Sequence, residues 1–480
     1  VDADLKTYNH TRLIVDILNT IPRCVMDGGL GRSSALVFSG VDDEEFQLLK
    51  NDDTNPERRF VRNMSNNSIC ADTPEDYAKI AKILPPLIKE AGEPGVFNRF
   101  LARCGMSRHA DPRLKRVRGT NACSEVLLEG WEFCNLASAI LQRCMNPDGT
   151  IDYNKLRNAC MLAAFYTAIV ACNPLNEARA EAVRAENLRV AVSLDASFVG
   201  YETLSNQEFG TLLKSCKELI ITYVDAYTMA IAGKKSVTHT CFKPGGKIPP
   251  LADSLSSING PICSQYVELR RIIHVGTPIY EELVKIKFPL EPYPNNDNMK
   301  LAVIPMNQGP CRSTRETSFW ERGALQAMLQ RMFSDNSLST TIDFPVSTSD
   351  IELEHFLGMY LWQLKGICFL PYEDFRTLKL LDGNEFRLRT SMSSKEAEAA
   401  LESVKSLMSP EEYARGLAAK FEDYEWHPYT PITKEQYDAQ MAALPTFSTE
   451  QFCKRKHVAT ATETSTAGCD GYRCMIVPAN

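Results

Sequence analysis

Asn121–Ala122–Cys123–Ser124–Glu125 is the stretch on which the reading of this chain turns. A cysteine and a glutamate two positions apart project to the same side of an extended segment. One short stretch can therefore offer sulfur and carboxylate to neighbouring atoms of one substrate. Cys134 follows eleven residues after Cys123, in Glu132–Phe133–Cys134–Asn135–Leu136. Cys469 and Cys474 lie within the last twelve residues, in Gly468–Cys469–Asp470–Gly471–Tyr472–Arg473–Cys474. Any one cysteine usually does no more than pack, since free Cys is among the most buried residue types. The spacings together point to thiol chemistry on a buried substrate, recharged by a dithiol near the C-terminus.

Outward from this stretch, short apolar strands alternate with amphipathic helices. Thr11 to Leu18 has helical spacing, with Leu13, Ile14, Ile17 and Leu18 on one face. Gly28–Gly29–Leu30–Gly31–Arg32 breaks it, Ala35–Leu36–Val37–Phe38 reads as a buried strand, and Asp42 starts an acidic helix to Lys50. A helix from about Pro74 to Ala91 ends at Gly92–Glu93–Pro94–Gly95. Tyr153 to Val183 is helical with a break near Pro174, Val190 to Leu194 is a strand, and Asn206 to Ala232 is a helix. Leu301–Ile304 and Ser339–Phe344 add strands. The pattern predicts an α/β architecture with a largely parallel sheet. Residues 1–455 read as one catalytic portion. Residues 456–480 read as a tail, in which the Thr/Ser/Ala/Gly-rich run 460–468 serves as a flexible tether.

Composition narrows the class. With 480 residues, 44% hydrophobic and 24% charged, the chain can bury a large core without disulfide staples. A net charge of −7 gives no support for a nucleic-acid-binding surface. Sixteen cysteines spread over this length fit a reducing compartment and a cytoplasmic protein rather than a compact secreted framework. The longest apolar run, Ala159 to Cys172, is too short to cross a bilayer and reads as a buried helix. His109, His239, His274, His427 and His457 form no spaced metal set. The chain starts at Val1 inside an amphipathic pattern, which predicts further sequence upstream.

In order along the chain, several segments resemble the adenosylcobalamin-dependent (class II) ribonucleotide reductases, closest to the monomeric, triphosphate-reducing type. These are Gly28–Ala35 with Asp42–Phe46, Met64–Ser68, Gly92–Gly95, Phe333–Asn336 through Thr340–Ile342, Phe369–Tyr372 and Tyr429–Thr433. The resemblance implies part of a ten-stranded α/β barrel whose central finger loop presents the catalytic cysteine. By position, Cys123 would carry the thiyl radical that abstracts the ribose 3′-hydrogen. Glu125 would be the general base for the 3′-hydroxyl, and Asn121 would hold the substrate hydroxyls. Cys134 would be one of two thiols that supply electrons. Cys469 and Cys474 would reduce the resulting disulfide and be regenerated by thioredoxin. Substrate phosphates would lie on Lys243–Pro244–Gly245–Gly246–Lys247, with Lys243, Gly245, Gly246 and Lys247 as binding residues. The implied cofactor is adenosylcobalamin, whose contacts no motif assigns. A deoxynucleotide effector site and the partner of Cys134 would lie upstream of Val1. Cys24 stands where the family has an ordinary apolar residue and reads as packing.

The chain departs from the family pattern at two places. The family usually flanks the radical cysteine with proline and glycine, where this chain has Ala122 and Ser124. The family's phosphate loop reads lysine-proline-serine-glycine-threonine, and both hydroxyls are missing here; backbone N–H groups and a lysine still suit phosphate. Two rival readings follow. One is an oxygen-dependent large subunit, which would carry a tyrosine pair near its C-terminus; no adjacent Tyr–Tyr occurs. The other is an inactive barrel that serves as a binding or assembly module.

Overall fold

The structure, a computed structural model, describes residues 10–27, 34–51, 62, 64–105, 111–244, 252, 254–255, 258–261, 265–293, 297–314, 316–372, 375–389, 394–414 and 429–446. Gly28–Arg32, the Cys24 side chain, Gly245, Gly246, Lys247, His109, His427, His457 and the whole tail with Cys469 and Cys474 lie outside the described residues.

Two blocks of strands make one curved wall. Helix α1 (His10–Asp27) leads into β1 (Ala35–Gly40), β2 (Ser65–Ala71), α2 (Glu75–Ala91) and β3 (Gly95–Asn98). Strands β1, β2 and β3 pair in parallel. After β4 (Gly119–Thr120) and β5 (Leu127–Leu128) come β6 (Leu136–Ile140), α3 (Tyr153–Cys172), β7 (Ala191–Asp195), α4 (Asn206–Ala232) and β8 (Thr240–Cys241), and β6-β7-β8 form a second parallel sheet. Later in the chain α5 (Phe319–Met332), β12 (Thr341–Pro345), α6 (Asp350–Tyr360) and β13 (Gly366–Tyr372) complete the first sheet, in the order β1-β2-β3-β13-β12. Its two halves meet antiparallel at β3 and β13. A parallel bridge between Phe242 and Leu338, just past β8 and just before β12, joins the two sheets. The wall thus has eight strands in the order β1-β2-β3-β13-β12-β8-β7-β6. Among the described residues β1 and β6 do not pair.

Alternation along the strands assigns the two faces of the wall. Ile69, Val96, Ile367 and Phe369 face outward into a core shared with Ile80, Leu84 and Ile88 of α2 and Leu353, Phe356 and Leu357 of α6. Each such side chain contributes about 1.5–3 kcal/mol by leaving water. Between them Phe38, Cys70 and Phe97 face inward and pack against Leu114, Val117 and Leu127. That inner cluster seats the hairpin described below. Helix ends follow the expected chemistry: α2 stops at Gly92 (φ 70°), and α4 starts at a capping box of Ser205 and Glu208 and stops at Gly233 (φ 68°).

Three expectations change. The predicted Asp42–Lys50 helix is only the short turn Glu44–Leu48. The apolar run Ala159–Cys172 is buried on one face only: Cys160, Ala164 and Thr167 are covered, while Leu162 is 68% exposed and Tyr166 59%. A helix alternates its sides every few residues, so a continuous apolar run need not be covered all round. Leu301–Ile304 belongs to no parallel sheet. It sits in β11 (Met299–Asn307), which pairs antiparallel with β9 (Tyr266–His274) and β10 (Leu290–Pro292). Apolar runs reveal strands but not their partners.

Candidate active site

Strands β4 and β5 form a small antiparallel hairpin with residues 121–126 at its tip, packed through Leu127 on the inward-facing Cys70 and Phe97 of the wall. Turn hydrogen bonds fix the tip. The Ser124 N–H donates to the Asn121 carbonyl (2.8 Å), and the Asn121 N–H donates to the Val126 carbonyl (3.2 Å). Asn121 Oδ1 accepts from the Val126 N–H (2.9 Å). The wall adds three anchors. The Ser337 N–H donates to the Glu125 carbonyl (2.9 Å), the Leu127 N–H to Asn336 Oδ1 (3.3 Å), and Asn66 Nδ2 to the Ala122 carbonyl (3.2 Å). Ser124 stands at φ +72°, in the left-handed region that glycine occupies without cost. The family's glycine fits that conformation, and here a serine is held in it.

The structure brings Cys123, Glu125, Asn121, Cys134 and Lys243 into one site. Cys123 is exposed at the tip. Burial, with the Glu125 carboxylate next, pushes its thiol up to about 11. Glu125 is 2% exposed, and its Oε2 has no hydrogen-bond partner. Burial raises its proton affinity, against a hydrogen bond from Asn121 and the charge of Lys243. Cys134 is likewise raised, by burial first and Glu125 second. Its backbone is anchored on both sides. Arg189 Nε meets Glu132 Oε1 at 2.8 Å in a pair almost wholly buried, and Asn135 Nδ2 donates to the Thr167 carbonyl (2.7 Å).

Four residues of the site carried no motif in the sequence reading. Lys243 Nζ donates to Ser138 Oγ of β6 (3.1 Å), and the Lys243 N–H donates to Ser193 Oγ of β7 (3.1 Å). Ser193 Oγ in turn donates to Asp195 Oδ1 (2.5 Å). Asp195 is fully buried, its Oδ2 has no partner, and burial raises its proton affinity. The fourth is Cys368 of β13, whose thiol senses the charge of Cys123. The signal for Ser193 and Asp195 was polarity at alternate positions of a strand buried at every residue. Cys368, flanked by Ile367 and Phe369, carried the same alternation. The segment expected to bind phosphate is described only as far as Pro244, so Lys243 falls within the described residues and Gly245, Gly246 and Lys247 do not. Among the described residues no group of three or more His, Cys, Asp and Glu is arranged to hold a metal, and no helix is long and apolar enough to cross a membrane.

Residues 42–191 match the family model of the ribonucleotide reductase barrel domain. The chain is 30% identical over 364 residues to an adenosylcobalamin-dependent ribonucleoside-triphosphate reductase of Euglena gracilis, covering 75% of this chain and 48% of that protein. It is 28% identical over 365 residues to a probable enzyme of the same name from Dictyostelium discoideum, covering 75% and 46%. The chain thus spans about half the length of the curated relatives it matches. The crystal structure of a B12-dependent (class II) ribonucleotide reductase superimposes with a TM-score of 0.68 at 22% identity, over 92% of this chain and 58% of that one, and so shares the fold. The finger hairpin, the order of the motifs and these likenesses agree, and the chain belongs to the ribonucleotide reductase family.

Proposed function

We propose that this chain is the catalytic portion of an adenosylcobalamin-dependent reductase that converts ribonucleoside triphosphates to 2′-deoxyribonucleoside triphosphates. The observation that carries the reading is the gathering of two thiols, a buried carboxylate with an unpaired oxygen and a lysine at the finger tip, with the thiols in their protonated form. Nucleophilic cysteines need a depressed pKa, because the thiolate attacks. Cys123 is pushed the other way, to about 11, so it stands as S–H at neutral pH. Only the thiol has a hydrogen to exchange as an atom, which is what radical chemistry at a ribose carbon requires.

Beside it, the free Oε2 of Glu125 can accept the 3′-hydroxyl proton as the C3′–H bond breaks. Asn121 fixes the Glu125 carboxylate and the turn together. Cys134 stands within electrostatic reach of both Cys123 and Glu125, where a reducing thiol must be. Lys243, flanked by the Ser138 and Ser193 hydroxyls, would bind a substrate phosphate. Exposure of Cys123 at the tip would leave its sulfur reachable by a radical initiator. The radical that starts the reaction would come from bound adenosylcobalamin, whose chemistry is the cofactor's own. Cys469 and Cys474, with thioredoxin as the dithiol donor, would recharge the site, and an effector site would lie upstream of Val1. Cytoplasmic residence fits the cysteine usage.

The test uses the full-length protein that contains this chain. Cys123→Ser should abolish triphosphate reduction with adenosylcobalamin. Glu125→Gln should keep nucleotide binding and lose about 10²–10⁴-fold in rate, as expected for loss of a general base. Turnover that persists in Cys123→Ser, or that runs on a di-iron partner without cobalamin, would refute the proposal.

A further inference from the structure

Ile367 and Phe369 pack into the outer helix layer, so Cys368 between them faces the finger side of β13, as Gly366 does. The finger rests on Gly366: a Cβ added there would lie 3.1 Å from Ser124 Oγ. Cys368 is two positions further along the same face, about 7 Å away. The register Gly366↔Phe97 and Ile367↔Val96 carries Cys368 to the level of Gly95. Because Gly95 has no side chain, the Cys368 sulfur can lie 3.4 Å from where its Cβ would be. On the opposite side of the tip, Asn66 of β2 holds the Ala122 carbonyl. The residues on either side of Cys123 are thus set against β2 through the Ala122 carbonyl and against β13 through Ser124. Cys134, the other candidate neighbour, is tied to the β6–β7 side by Glu132–Arg189 and Asn135.

We propose that Cys368 is a second thiol of this site and forms a reversible disulfide with Cys123 when a small-molecule disulfide oxidises the pair. One protein thiolate displaces a small thiolate from the oxidant, and the other protein sulfur then displaces the second. One protein S–S bond forms and one small-molecule S–S bond breaks. The two protein thiols lose two electrons and two protons, which leave on two small thiols. A dithiol reductant reverses the exchange. While the bond is closed Cys123 has no S–H, so the reaction cannot start; that consequence rests on the proposed function, whereas the bond itself does not.

Burial, with the charges of Glu93 and Cys123 next, pushes Cys368 up to about 12, and Cys123 is at about 11. Exchange proceeds through the thiolate. Closure is accordingly slow at neutral pH and speeds up about tenfold per pH unit to about pH 10, where an ordinary thiol near 8.5 would already have levelled off.

The test needs only the 480-residue chain. It is equilibrated with oxidised glutathione at pH 9, alkylated, digested and analysed by mass spectrometry. The expected product is a peptide pair joined through Cys123 and Cys368, absent in Cys123→Ser and in Cys368→Ser. In Cys368→Ser, Cys123 should instead carry glutathione or the alkylating group. Cys368→Ala, checked by circular dichroism, guards against a misfolded serine variant. A folded wild-type chain that joins Cys123 to Cys134, or leaves Cys123 and Cys368 unjoined, overturns the proposal. A full-length protein that forms the bond yet reduces no nucleotide would refute the proposed function alone. An active reductase without the bond would refute only this inference.

Discussion

His239 is clamped between two carboxylates, and its charge should be worth about 3 kcal/mol of stability that vanishes in alkali. Nε2 meets Asp225 Oδ1 at 2.9 Å and Nδ1 meets Asp335 Oδ2 at 3.0 Å, with the imidazole 12% exposed. Burial disfavours the imidazolium, but the two carboxylates outweigh it and raise His239 from its ordinary 6.5 to about 9. Asp225 and Asp335 are in turn both held below the usual carboxylate range by His239 despite burial. At about 1.4 kcal/mol for each tenfold change in proton affinity, the rise amounts to about 3 kcal/mol. A folded-state pKa above the unfolded one gives stability that is whole below about pH 6.5 and is lost as pH climbs through about 9. Lys365 opposes this in part of the window. Its Nζ donates to the Asp335 carbonyl (2.6 Å), and burial lowers it to about 8. Its cationic form costs stability below that pH, and the cost is relieved as pH rises further. Lys235 near Asp225 and Lys217 near Asp335 add positive charge. The assay is urea unfolding of wild type and His239→Gln at pH 6 and pH 10, so that background titrations cancel in the difference. Wild type should exceed the variant by about 3 kcal/mol more at pH 6 than at pH 10. A difference that is flat with pH, or grows in alkali, would refute the clamp.

Two further outcomes follow from the site's supports. Arg189→Met leaves Glu132 buried without its partner and should cost about 3–5 kcal/mol in urea unfolding, while the Arg189→Met, Glu132→Leu double variant should recover most of it; a single-variant cost under about 1 kcal/mol would show that the pair does not anchor the Cys134 segment. Ser124→Val should cost about 1–3 kcal/mol because a β-branched residue resists φ +72°, whereas Ser124→Gly should be no less stable than wild type; equal stability of the valine variant would show that the tip relaxes to another conformation.

Periodicity in the sequence located most elements, because helices and buried strands leave a local imprint. Asn206–Ala232 shows it well: the capping Ser205, a continuous amphipathic pattern and the terminal Gly233 mark out the segment locally. What periodicity does not carry is partnership. Leu301–Ile304 reads as a strand in any sheet, and only long-range pairing with β9 decides that the sheet is antiparallel. The same limit separates the site residues found from those missed. Cys123, Glu125 and Cys134 lie within one short stretch, and their spacing could be read directly. Cys368, Asp195 and Ser138 reach the site from three other strands, and nothing local marks them beyond polarity at inward positions. His239 was set aside as a lone histidine. Its two carboxylates lie 14 and 96 residues away, beyond any local pattern.

The departures at Ala122 and Ser124 are weighed best against what holds the tip. Without proline and glycine the segment has no intrinsic bias towards its turn, and the serine at positive φ costs about 1–2 kcal/mol. Opposed to that are six hydrogen bonds, three within the turn and three from Asn66, Asn336 and Ser337. At about 1 kcal/mol each, with more at stake where a buried group would otherwise go unpaired, they outweigh the strain several-fold. The wall imposes the conformation that the family's residues would favour locally. The Glu125 carbonyl is bound by Ser337 while its Oε2 has no partner, so the anchoring uses the backbone and not the carboxylate. The altered flanks are therefore weak grounds for reading this barrel as a mere binding module.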